Sequence, residues 1–138
     1  MKDSVVLRHK GKMAFEATVN GHKLILDANA ESGGNNDGPR PKSLMLTALA
    51  GCTGMDVVAI LGKMKVDYDD FSVVVEGNIT EDHPRHFDHM HIKYIIKGNE
   101  IPEDKVLKAI NLSQDKYCGV SYNYKQAMKV TWELVIES

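Results

Sequence analysis

Two cysteines, Cys52 and Cys118, are the residues whose type most clearly allows redox or nucleophilic chemistry. They lie far apart in the sequence, so they form neither a Cys-X-X-Cys motif nor a chelating pair on one helical turn. A free cysteine is often only a small buried apolar residue, and spacing does not decide between packing and chemistry. Any site that the two thiols share must therefore come from the fold.

Cys52 lies in a run from Pro41 to near Lys65 that has the composition of a long helix. Proline suits the first turn of a helix, where its missing N–H is no loss. Between Leu44 and Leu61 the only charged residue is Asp56, and apolar side chains would point in every direction. Such a pattern predicts a central helix that is buried on all sides.

A membrane span is the alternative for this helix, but its interior polar residues and glycines make it a poor one. A chain of 138 residues has too little other material to surround the helix, so we expect a partner subunit to cover the rest. Gly51 and Gly54 share one face, where the backbone of a second helix, or equally a strand of the same chain, could approach closely.

The other segments predict strands and one further helix. Asn20-Gly21 between two apolar runs predicts a hairpin, and residues 28–41 an exposed, mobile loop. Alternating or continuous apolar residues predict strands over Phe71–Ile79, Met90–Ile96 and Met128–Ile136, and a helix from Ile101 to about Lys116 leads to Cys118. We expect one α+β domain over residues 1–138, with antiparallel sheets around the central helix.

Three segments carry a family resemblance: Gly38-Pro39-Arg40-Pro41, the helix from Leu44 to Cys52, and Lys116-Tyr117-Cys118-Gly119-Val120-Ser121. These segments and the order of the elements resemble the OsmC/Ohr family. The resemblance implies an intertwined homodimer with active sites at its interface. It also implies that Cys52 attacks a hydroperoxide and that Cys118 resolves the product to a disulfide, which an external dithiol reduces. Neither a metal nor an organic cofactor is implied.

The chain departs from the family pattern after Pro41. The peroxidases of the family carry a glutamate shortly after this proline, paired with an arginine that helps to activate the cysteine, whereas here Lys42 and Ser43 follow. Arg8, Arg40 and Arg85 are candidates for the arginine, and no motif decides among them. Along one helix Arg40 would be too far from Cys52, so it could serve only from a partner subunit or a folded-back loop.

Asp56 lies one helical turn after Cys52 on the same face. Its charge would disfavour the thiolate and raise the cysteine pKa unless a cation or a backbone donor neutralises it. The other interpretation is a buried polar residue that accepts hydrogen bonds from backbone N–H groups. Asp56 therefore either supports the site or lowers the reactivity of Cys52.

A histidine cluster, His83, His86, His89 and His91, could bind a metal, but no helix-spaced pair or nearby thiol completes a tetrahedral set. An exposed strand face is the simpler interpretation. A zinc-binding module based on this strand remains a third hypothesis for the protein.

The best hypothesis is a thiol-dependent peroxidase acting on organic or small hydroperoxides through Cys52 and Cys118, which should lie close enough for a disulfide. The alternative is a non-enzymatic domain that binds a small apolar ligand or senses redox state.

A net charge of −2 with scattered basic residues excludes a nucleic-acid partner. The N-terminal residues have no apolar signal core, which predicts a cytoplasmic protein with no membrane partner.

Overall fold

The computed structural model describes all 138 residues and contains two three-stranded sheets and three α-helices. The chain forms two compact units, Met1–Met45 and Leu46–Ser138. The strands and helices follow the chain in the order β1 (Val6–Gly11), β2 (Ala14–Val19), β3 (His22–Leu26), α1 (Pro41–Lys63), β4 (Asp70–Ile79), β5 (Phe87–Lys97), α2 (Glu103–Leu112), α3 (Gly119–Lys125) and β6 (Lys129–Glu137). That the whole chain is one domain stays a prediction.

The first unit contains the antiparallel sheet β1–β2–β3. The hairpin predicted at Asn20-Gly21 is confirmed, since both residues have positive φ, 50° and 79°, and the strands pair from Val19 with His22 onward. Asparagine and glycine tolerate this left-handed region better than other residues do. Local turn chemistry therefore determines the register of this hairpin.

The loop after β3 is organised by one buried carboxylate, which its composition does not predict. Asp27 accepts backbone hydrogen bonds from Ala28 (2.7 Å), Asn35 (3.1 Å) and Asp37 (3.1 Å). The bond from Asp37 is the largest cause of a lowered pKa for Asp27, against the opposing effect of burial. Gly34 is required here, because a Cβ on it would lie 2.1 Å from the Ala28 carbonyl oxygen.

The second unit is built on the sheet β4–β5–β6. In β5 the predicted alternation is confirmed, because Met90, Ile92, Tyr94 and Ile96 are all fully buried. The direction of β6 differs from the antiparallel sheet that the sequence predicts: β4 pairs antiparallel with β5, but β5 pairs parallel with β6. The helical connection between β5 and β6 explains this, since a crossover returns the chain to the same end of the sheet.

Helix α1 contributes one face to the core of the second unit. Leu49, Thr53, Val57 and Leu61, spaced by four residues, are fully buried and pack with the inner face of the sheet. Elsewhere the helix is open, and Met55 is 77% exposed. The sequence predicts burial on all sides, but a single chain covers only one side. By length and composition α1 could also cross a membrane.

The connection from β5 to β6 contains a distortion that the sequence does not reveal. Helix α2 ends at Leu112, and the chain continues as one π-helical turn, Ser113–Tyr117, closed by a 2.7 Å bond from the Cys118 N–H to the Ser113 carbonyl. Helix α3 then begins directly after Cys118. The predicted helix to about Lys116 therefore ends earlier as an α-helix, and Cys118 lies between two helical segments.

Candidate functional site

The two cysteines lie together in the second unit. The Sγ atoms of Cys52 and Cys118 and a carboxylate oxygen of Asp56 are all within 4.8 Å of one another. Both thiols are free. The expectation that the fold brings the distant cysteines together is therefore confirmed, and Asp56 joins them.

The two thiols differ in accessibility. Cys52, in the middle of α1, is half-buried, whereas Cys118 is only 3% exposed. Cys118 is also the N-cap of α3, where its sulfur accepts a hydrogen bond from the Ser121 N–H at 3.3 Å. Burial and this cap hold Cys118 in place.

Burial raises the pKa of the Cys118 thiol to about 11, and the neighbouring Cys52 and Asp56 act in the same direction. The Ser121 N–H opposes them, because a hydrogen bond to sulfur favours the thiolate. At neutral pH Cys118 is consequently a protonated thiol. Of the pair, it is the less suited to attack a substrate from solution.

Asp56 is half-buried and held by a side chain. Its Oδ2 accepts a 2.9 Å hydrogen bond from the Ser113 hydroxyl, and not from backbone N–H groups as one interpretation predicted. This bond fixes the carboxylate beside the sulfurs. No carboxylate occurs in the first turn of α1, so Asp56 is the acid that the structure places next to the thiols.

A buried polar network surrounds this site, and sequence reasoning missed it. Thr53 Oγ1 lies 2.6 Å from the Tyr94 hydroxyl and 2.7 Å from Ser113 Oγ. The Gln114 side-chain amide donates to Tyr94 at 2.9 Å and to Thr53 at 3.2 Å. Ser121 donates to the Gln114 side-chain oxygen at 2.8 Å, which fixes the orientation of that amide.

Counting hydrogens gives this network a direction. The Ser113 hydroxyl uses its one hydrogen on Asp56, so it must accept from Thr53. Thr53 then accepts from Tyr94, whose pKa burial raises, so its hydroxyl keeps its hydrogen. The chain of donors runs from Tyr94 through Thr53 and Ser113 to Asp56. The sequence feature that could have indicated this network is a polar residue within an apolar helix, such as Thr53 in α1.

Arg40, a candidate for the activating arginine, and the candidate metal-binding histidines His89 and His91 each have hydrogen-bond partners away from the residues of the thiol site. Arg40 donates to the Gly38 carbonyl at 2.9 Å, and its charge helps to lower the pKa of Asp27 in the first unit. On the sheet, His89 and His91 both bond Thr131, at 2.9 and 2.7 Å, and His91 also contacts Glu133 at 2.6 Å. His89 and His91 therefore form a hydrogen-bonded strand face, and Arg40 has its partners within the first unit.

This arrangement defines a class of protein: an α+β chain with a thiol pair between a core helix and the crossover that connects β5 to β6. Residues 34–133 match the family model OsmC, described as OsmC-like protein. The chain belongs to this family.

Similar proteins agree with this assignment. Protein YhfA of Escherichia coli K12 is 32% identical over 114 residues, which are 83% of this chain and 82% of YhfA. The crystal structure of a hypothetical protein from Aquifex aeolicus VF5 has a TM-score of 0.82 at 26% identity and covers 100% of this chain and 99% of its own. The organic hydroperoxide resistance protein OhrB of Bacillus subtilis, at 16% identity, shares the fold with a TM-score of 0.64, covering 97% and 98%.

The difference between the two thiols predicts selective alkylation. In reduced, chelator-treated protein at neutral pH, iodoacetamide should label Cys52 first. Cys118 should react at least about a hundredfold more slowly than in unfolded chain, because a pKa raised from 9.0 to about 11 lowers its thiolate fraction by that factor. Peptide mass spectrometry at a series of times measures both rates.

Raising the pH towards 11 should speed the labelling of Cys118, and denaturant should make the two thiols equally reactive. Labelling of native Cys118 at neutral pH as fast as in denaturant would contradict the burial argument.

Proposed function

We propose that this protein is a thiol-dependent peroxidase that reduces organic or small hydroperoxides through Cys52 and Cys118. The observation that carries the proposal is the separation of the two sulfurs, which is within 4.8 Å. At this separation a small shift brings them to the 2.05 Å of a disulfide bond. The fold shared with organic hydroperoxide resistance proteins supports the same chemistry.

Accessibility supports the assignment of roles. The half-buried Cys52 is the thiol that a hydroperoxide reaches, and its thiolate attacks the O–O bond. One peroxide oxygen stays on Cys52 as sulfenic acid, and the other leaves as an alcohol after taking a proton. The thiol of Cys118 then attacks the Cys52 sulfur, its proton joins the departing hydroxide as water, and a disulfide forms.

The cycle closes outside the chain. An external dithiol donates two electrons and two protons, returns both cysteines to thiols and leaves as its own disulfide. Under this proposal the protein works in a reducing compartment such as the cytoplasm. The cysteine chemistry itself uses no organic cofactor.

A non-enzymatic, redox-sensing or ligand-binding protein is the second candidate. It is favoured by the lack of a carboxylate in the first turn of α1 and by the acidic Asp56 beside the thiols, which disfavours a thiolate. Such a protein would lose its thiols only slowly in hydroperoxide. The rate of that loss separates the two candidates.

We also propose a homodimer, in which the second subunit covers the exposed side of α1. Gly51, Met55 and Val58 of α1 and Phe71 and Val73 of β4 line an apolar groove of about 420 Å³. Exposed apolar surface of this kind is typical of interaction sites. A second copy of the chain would bury the side of the helix that one chain leaves open.

The enzymatic proposal predicts different results for the two cysteine variants. Cys52→Ser should abolish hydroperoxide consumption, because the attacking sulfur is lost. Cys118→Ser should still allow one round of oxidation and leave Cys52 as a sulfenic acid that dimedone traps. Stopped-flow peroxide assays and mass spectrometry of the trapped adduct measure these outcomes. Consumption by Cys52→Ser at the wild-type rate would contradict the assignment.

The dimer proposal has a matched pair of variants. Val58, in the groove, and Val74, on the sheet face away from the core, are each 43% exposed. Val58→Lys should dissociate the dimer, because it would bury a charge at the interface, whereas Val74→Lys should not. Sedimentation velocity at micromolar concentration measures both. A well-folded wild-type monomer, or equal effects of the two lysines, would contradict the proposal.

A further inference from the structure

We propose that the reduced thiol pair and Asp56 form a binding site for a thiophilic divalent cation of the Zn²⁺ type. Cation binding and the Cys52–Cys118 disulfide would exclude each other, because both use the same two sulfurs. The cation would therefore occupy only the reduced protein. This site is distinct from the histidine strand, whose residues bond Thr131 and Glu133.

The donor set suits zinc. Two sulfurs and one carboxylate oxygen lie within 4.8 Å of one another. In a tetrahedral zinc site, bonds of about 2.3 Å to sulfur and about 2.0 Å to oxygen put the ligand atoms roughly 3.5–3.8 Å apart. The three atoms therefore need to approach by at most about 1.0–1.3 Å. Thiolates select zinc and its heavier relatives over magnesium and calcium, which prefer oxygen ligands.

The ligands are held by the surrounding structure. Cys52 and Asp56 are four residues apart on α1, so the helix presents both to the same side. The Ser113 hydroxyl orients Asp56, and the Ser121 N–H orients the sulfur of Cys118. Outer partners of this kind fix the direction of metal ligands and contribute to affinity.

The fold does not require the cation. Every buried side-chain nitrogen and oxygen already has a hydrogen-bond partner in the protein. This differs from a structural zinc site, whose loss unfolds the domain. Three protein ligands also leave one tetrahedral position for water, whereas structural zinc sites have four protein ligands. The cation is thus a reversible ligand that shields Cys52 while it is bound.

Oxidation removes the site. A two-electron oxidant takes one electron from each thiolate, the sulfurs join, and the cation leaves as M²⁺. With a hydroperoxide as oxidant, two protons from solvent complete the alcohol and the water. The cation site does not rest on the proposed peroxidase activity, because binding is measured without any peroxide.

Titration with Co²⁺ tests the site in reduced, chelator-washed protein. We expect one cobalt per chain, with the intense near-ultraviolet absorption of sulfur-to-cobalt charge transfer, and displacement of cobalt by Zn²⁺. Cys52→Ser and Cys118→Ser should each lose this absorption. Asp56→Asn should weaken binding at least about tenfold, since even outer partners of a metal are worth about 10–100-fold. The matched control Asp67→Asn, at an exposed carboxylate, should bind as the wild type does.

Two further measurements keep the test decisive. Circular dichroism identifies any variant that fails to fold, and wild-type protein oxidised with diamide, which carries both cysteines as a disulfide, should bind no cobalt. Unchanged binding in folded Asp56→Asn, in either cysteine variant or in the oxidised protein would overturn the proposal. So would loss of binding in His89→Ala. Failure of peroxide consumption alone would leave the cation site standing.

Discussion

The 2.6 Å contact between the hydroxyls of Thr53 and Tyr94 is the interaction on which the position of the thiols depends. It joins the residue after Cys52 to the middle of the central strand, at a point that is fully buried. Ser113 and Gln114 bond to the same threonine from the π-helical turn. One small side chain therefore connects α1, the sheet and the turn. Removing one partner would leave buried polar groups unsatisfied, at about 1–3 kcal/mol.

This network decides which chemistry the thiols can perform. It places Asp56 beside them, and a carboxylate opposes a thiolate but stabilises a bound cation. Without a bound cation, burial raises the pKa of Cys118 to about 11, so its thiol is protonated at neutral pH. Protein that lacks a cation at the site is therefore expected to react through Cys52. The first turn of α1 contains no acidic residue, so the carboxylate beside the thiols is that of Asp56.

The sequence predicts those parts of the fold that local rules control. Alternation in Met90–Ile96, the turn at Asn20-Gly21 and the start of α1 at Pro41 all follow from period and turn chemistry, and the structure confirms them. The parallel direction of β6 depends on where the crossover returns the chain to the sheet, and the local pattern of the predicted helix does not specify this. The order in the loop after β3 likewise depends on Asp27 reaching backbone groups many residues away.

The sequence predicted the two cysteines of the site but not the residues that surround them. The family resemblance predicted that Cys52 and Cys118 lie close together, as they do in the structure. Their spacing in the sequence does not predict this proximity. Cys118 follows a π-helical turn and caps α3, and no local sequence pattern predicts that turn. Ser113 and Gln114 look like ordinary helix-end residues until the fold places them against Thr53.

The central claim is that the two sulfurs form one redox unit within a single chain. The most direct measurement is a count of free thiols, with non-reducing peptide mapping, after one equivalent of cumene hydroperoxide is added to reduced protein. The account predicts rapid loss of both thiols and a single peptide pair that joins Cys52 to Cys118 within one chain. Retention of both thiols, or disulfides that only link separate chains, would contradict it.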